Sequence, residues 1–145
     1  MIALDTNVLV AAHRLDSQFN GVAVAVVAEL WSGPAAWAIP WPCLHEFLAI
    51  VTNSRIPWEP TPLDRAVEQV DEWLTSPNLV LLAEGPGYFD HFRSVITAAQ
   101  ASGGLVHDAR IAALCLYHSV SELWTADRDF SRFPALKTRN PLVRT

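Results

Sequence analysis

The feature that most limits the fold is the start of the chain, where the apolar run Met1-Ile2-Ala3-Leu4 ends in a carboxylate, a hydroxyl and an amide, Asp5-Thr6-Asn7. An apolar run without alternation suits a parallel strand covered on both faces. Polar residues directly after such a strand lie at its C-terminal end, where open α/β sheets place their ligand chemistry. That reading requires the rest of the chain to supply further strands, crossover helices and companions for Asp5.

Such segments recur in order. Val22 to Trp31, rich in alanine and valine, predicts a buried helix closed by Ser32-Gly33-Pro34. Ala36 to Ile39 reads as a short strand. Pro40 and Pro42 then open a helix with Leu44, Phe47, Leu48 and Val51 on its apolar face and Glu46 one to two turns in. Proline and turn formers make Asn53 to Pro62 a loop that leaves Arg55 and Trp58 exposed. A helix over Leu63 to Leu74 precedes a buried strand at Leu79 to Leu82, bounded by Pro77-Asn78 and Glu84-Gly85-Pro86-Gly87. Helices follow at Tyr88 to Gln100 and, after Ser102-Gly103-Gly104, at Leu105 to His118, with Asp108 and Arg110 in its first turns.

Leu123 to Thr125 forms another short strand, and Ala126-Asp127-Arg128-Asp129-Phe130 repeats the apolar-to-acid step seen at Asp5. An edge strand is expected around Leu136 to Thr138. No element is assigned to Val8 to Ala12. The alternation predicts an α/β fold with a mostly parallel sheet of four to five short strands, in one domain spanning residues 1–145. A chain of 145 residues buries roughly 68–70% of its unfolded surface in a single core.

Asp5 and Asp127 follow strands, while Glu46 and Asp108 sit near helix starts, so all four acids can reach one edge of the sheet. Taken singly, each has an ordinary reading: Asp108 complements a helix dipole, and Asp127 or Asp129 caps a turn. Together they repel, by ~4 kcal/mol for charges about 4 Å apart at an effective dielectric near 20. A hard divalent cation resolves that repulsion. Carboxylate oxygens suit Mg²⁺ or Mn²⁺, and no imidazole or thiolate cluster favours zinc. One or two such ions can activate a water and stabilise the leaving oxygen of a phosphodiester.

The formal charge of −5 excludes nucleic-acid binding through a broad basic field. Local help would have to come from side chains such as Arg55, Arg110, Arg128 and Arg132, which read equally well as solvated surface. Cys43 and Cys115 stand far apart without zinc spacing, which fits a reduced, cytoplasmic setting. Neither a leader nor a membrane span is expected.

Four segments together resemble the PIN-domain ribonucleases, and most closely the VapC toxins of toxin–antitoxin pairs. They are Leu4 to Leu9, Pro42 to Phe47, Val106 to Ala113 and Leu123 to Phe130. The resemblance covers nearly the whole chain. It implies a three-layer α/β/α sandwich and an Mg²⁺- or Mn²⁺-dependent endoribonuclease, with Asp5, Glu46, Asp108 and Asp127 in the family's metal-binding places. Thr6, Asn7 and Thr125 match its supporting hydroxyls and amide, and Asp129 is an extra acid at a variable position. The wording of Val106 to Ala113 and Trp124 to Phe133 resembles a mycobacterial-type branch, some of whose members cut transfer RNA. A small VapB-like antitoxin and a homodimer are also implied, with Trp31, Trp37, Trp41 and Trp58 as candidate partner surface. The open alternatives are a flap-type DNA nuclease and a non-catalytic protein-binding module of the same fold.

Overall fold

The computed structural model describes residues 1–143, so the last two residues of the expected 1–145 domain lie outside the described residues. Strand β1 (Ile2–Leu4) leads without a loop into helix α1 (Thr6–His13), for which Asp5 is the N-cap, its carboxylate accepting from the Thr6 amide. The apolar stretch Val8 to Ala12 is thus helical. Helix α2 (Asn20–Ser32) is followed by β2 (Trp37–Pro40), α3 (Trp41–Val51), α4 (Leu63–Leu74) and β3 (Leu79–Leu82). Helices α5 (Tyr88–Ala99) and α6 (Leu105–Tyr117), strand β4 (Glu122–Trp124), a short 3-10 helix (Arg128–Arg132) and β5 (Thr138–Arg139) complete the order.

The five strands pair in parallel in the order β3-β2-β1-β4-β5. Helix α1 packs on α2 and α3, α3 on α4, and α5 on α6, so the sheet lies between helices in an α/β/α sandwich. Both faces are therefore covered, which explains why Ala3, Leu4, Trp37, Ala38, Ile39 and Leu123 are fully buried with no polar alternation. From β1 the chain moves one way to β2 and β3, then returns to the other side of β1 for β4. The crevice beyond the C-terminal ends of β1 and β4 is thus a topological switch point.

Three expectations shift. Helix α2 buries only Ala23 and Val27 and leaves Val22, Val24 and Trp31 exposed, because composition does not reveal how narrow a stripe a neighbouring helix covers. The edge strand lies at Thr138–Arg139, since Leu136 turns into the core and the Lys137 carbonyl accepts from the Leu123 amide at 2.9 Å. Trp37 is not partner surface but fully buried core, whereas Trp31, Trp41 and Trp58 remain more than a third exposed. Among the described residues no helix is long and apolar enough to cross a membrane.

Candidate active site

Asp5 is 4% exposed, and its carboxylate accepts from four donors. Oδ1 accepts from the Thr6 amide at 2.8 Å and the Cys43 thiol at 3.5 Å. Oδ2 accepts from the Thr125 hydroxyl at 2.7 Å and the Asn7 amide nitrogen at 3.1 Å. Burial raises the Asp5 pKa, and these hydrogen bonds oppose that rise by favouring the charged form. Burial also drives the Cys43 thiol well above its ordinary range, followed by the Asp5 charge, so the sulfur stays protonated as a donor. A lone cysteine far along the chain gives no sequence signal for this contact; only the adjacency of β1 and β2 creates it.

The Thr125 hydroxyl joins the two strand ends. It donates to Asp5 and accepts from the Asp127 amide at 2.9 Å and the Asn7 side chain at 3.1 Å, while Asn7 Oδ1 accepts from the Ala126 amide at 2.9 Å. The isosteric Thr125→Val substitution removes one donor from Asp5 and leaves the Asp127 amide without its partner. It is expected to destabilise the protein by roughly 1–3 kcal/mol, read as a lower urea midpoint with an unchanged slope.

Beyond this network a cleft of ≈ 710 Å³ is lined by Asp5, Thr6, Asn7, Glu46, Asp108 and Asp127 among others. All four sequence-designated acids, from β1, α3, α6 and the end of β4, thus face one space. Carboxylate oxygens of Asp108, Asp127 and Asp129 lie within 4.8 Å of one another, so Asp129 stands with the central acids. Asp127 also caps the 3-10 helix, accepting from the Asp129 amide at 2.8 Å, and so fulfils its ordinary reading as well.

The crowding has an electrostatic cost. Burial, then the charges of Asp127, Asp5, Asp129 and Glu46, push Asp108 up to about 6. Glu46 is raised by desolvation first and by Asp5 second. The buried Thr6 hydroxyl has no hydrogen-bond partner among the described residues. Clustered carboxylates, mutual repulsion and an idle hydroxyl beside them form a donor set that fits a hard divalent cation.

The four arginines are placed differently, and none lines the cleft. Arg110 is paired with Glu84 at 2.7 Å and lines an adjoining pocket with His45 and His107. Arg132 donates to the Ala99 carbonyl at 2.8 Å and lines a separate pocket, while Arg55 and Arg128 are exposed. The arginine that does line the cleft is Arg14, in the stretch between α1 and α2.

A parallel sheet of this order with acids gathered at its switch point defines an α/β protein with an acidic cleft, and comparisons give the family. The PIN domain profile matches residues 2–136, and the chain belongs to the PIN-domain family. Its relatives include Ribonuclease VapC48 of Mycobacterium tuberculosis, 30% identical over 137 residues, covering 94% of each chain. Ribonuclease VapC43 of the same organism is 34% identical over 142 residues, covering 98% of this chain and 96% of the relative. Among solved structures, VapBC2 from Rickettsia felis bound to a DNA fragment from its promoter shares the fold. It has a TM-score of 0.72 at 20% identity, covering 97% of this chain and 98% of that one.

Proposed function

We propose that this protein is an endoribonuclease of the VapC toxin type, dependent on Mg²⁺ or Mn²⁺ and acting in the cytoplasm as a single-domain chain. The convergence of Asp5, Glu46, Asp108 and Asp127 on one cleft carries the reading. The relatives named ribonucleases, at 30% and 34% identity along nearly the whole chain, support it. The partners that follow are an RNA substrate, with transfer RNA as the first class to test, a small VapB-like antitoxin and a second copy of the chain.

Asp5, Glu46, Asp108 and Asp127, with Asp129 beside them, would hold one or two ions. A bound Mg²⁺ or Mn²⁺ supplies Lewis acidity and an activated water for in-line attack on a phosphodiester. The chain's own part is orientation. Thr125 and Asn7 fix the Asp5 carboxylate, and the parallel pairing of β1 with β4 brings Asp5 to Thr125, two residues before Asp127.

The test incubates purified protein with total RNA and, separately, single-stranded DNA, with Mg²⁺, with Mn²⁺ and with EDTA. RNA cleavage is expected only with metal, and Asp5→Asn is expected to slow it by at least about 100-fold. Cleavage that persists in EDTA would sink the mechanism, and a preference for DNA would move the protein to the other nuclease class.

A further inference from the structure

The four proposed metal-holding acids are only part of the cleft's lining. At ≈ 710 Å³ it has the size of an organic-ligand site rather than that of an ion with a few waters. Its other walls include Val10, Phe19, Ile50, Leu142 and the indole of Trp58. This chain buries its core tryptophans, Trp37 at 0% and Trp73 at 4% exposure, whereas Trp58 is 37% exposed.

Trp58 also has a prepared support. The Arg14 guanidinium lies 5.5 Å from the centre of its ring. That guanidinium donates to Asp16 at 2.7 Å, to the Glu59 carbonyl at 2.6 Å and to the Thr61 hydroxyl at 3.3 Å, and the Arg14 side chain is only 11% exposed. With its charge matched by Asp16, Arg14 is poorly placed to bind a phosphate and well placed to hold the Trp58 loop against the cleft.

We infer that the apolar half of the cleft receives a nucleobase of the RNA strand, stacked on Trp58, beside the phosphate presented to the acids. The inference rests on the proposed ribonuclease reading and deepens it. It also answers how a chain of net charge −5 holds a polyanion. Base–aromatic stacking contributes roughly 1–3 kcal/mol per base and does not depend on a positive field.

The experiment uses a short fluorescein-labelled single-stranded RNA and versions in which one abasic nucleotide is walked along it. Binding is read by anisotropy in EDTA, and single-turnover cleavage is read in Mg²⁺, for wild type, Trp58→Phe, Trp58→Leu and Trp58→Ala. Trp58→Ala is expected to weaken Kd by about 10–100-fold. Trp58→Phe should keep most of the affinity. Trp58→Leu, which retains apolar bulk without a π face, should behave like Trp58→Ala even if the latter folds poorly. At one position an abasic nucleotide should weaken wild type by a similar factor and add little in Trp58→Leu.

Wild type that cleaves RNA while Trp58→Leu binds it equally well overturns the inference and leaves the proposed function standing. An abasic penalty that persists in full in Trp58→Leu also overturns it. Wild type that neither binds nor cleaves RNA overturns both.

Discussion

Asp108→Asn is expected to abolish RNA cleavage while raising the melting temperature of the metal-free protein. The folded-state pKa of Asp108, about 6, lies above its ordinary value of 3.8. The folded state therefore holds this proton more tightly than the unfolded chain does. The stability associated with it is fully present below about pH 4 and is lost as pH rises through about 6. At pH 7.5 the ionised carboxylate is a net cost. A shift of about two units corresponds to about 3 kcal/mol without screening, but Asp108 is only partly buried, so about 1 kcal/mol is the realistic gain from removing the charge.

For a chain of this size that gain is roughly 3–4 °C. The difference should vanish near pH 4. Mg²⁺ should raise the melting temperature of wild type and do much less for the variant, because a ligand stabilises only the state that binds it. A metal-free variant that melts below wild type at pH 7.5 would show that Asp108 supports the fold rather than straining it. This variant separates chemistry from folding better than Asp5→Asn. An amide at position 5 cannot accept from all four donors that now surround the carboxylate and so disturbs the network itself.

The second large effect is expected at Trp37→Ala, with a loss of about 3–5 kcal/mol from the cavity alone. Trp37 is fully buried in β2, paired with Ile2 on one side and Leu79 on the other, so it packs where the three strands meet. Its indole N–H donates to the Ser76 hydroxyl at 3.0 Å, and losing that donor strands a buried oxygen. Against a total stability of about 5–15 kcal/mol, the variant should unfold at a much lower urea concentration and express poorly. Trp37→Phe keeps most of the volume and should cost much less. A loss below about 1 kcal/mol in Trp37→Ala would mean that neighbouring side chains collapse into the space.

The strands were legible because glycine, proline or polar residues bound their apolar runs. Ala36 to Ile39 and Leu79 to Leu82 are found at Trp37–Pro40 and Leu79–Leu82. The four acids were legible for the same reason, each standing just past an apolar segment or near a helix start. Helix α1 was hidden because Asp5 is both strand end and helix cap, so no turn residues separate the two elements. The contacts of Cys43, Arg14 and Arg132 were hidden because they depend on which elements become neighbours, and a side chain's local sequence does not encode that. The shift of Asp129 into the acid group follows from the single 3-10 turn after Asp127, too short for any periodicity to register.

The central place of β1 has a further consequence for timing. Asp5 is made well before its partner, because the hydroxyl that completes its carboxylate network belongs to Thr125, 120 residues later. At roughly 10 residues per second, about 12 seconds separate the two on the ribosome. A nascent chain carries Asp5 through all of that interval without Thr125, Asp127 or the strand that sets them beside it. Every fragment ending before β4 therefore lacks the assembled acid cleft, and the centre comes together only once β4 has been made.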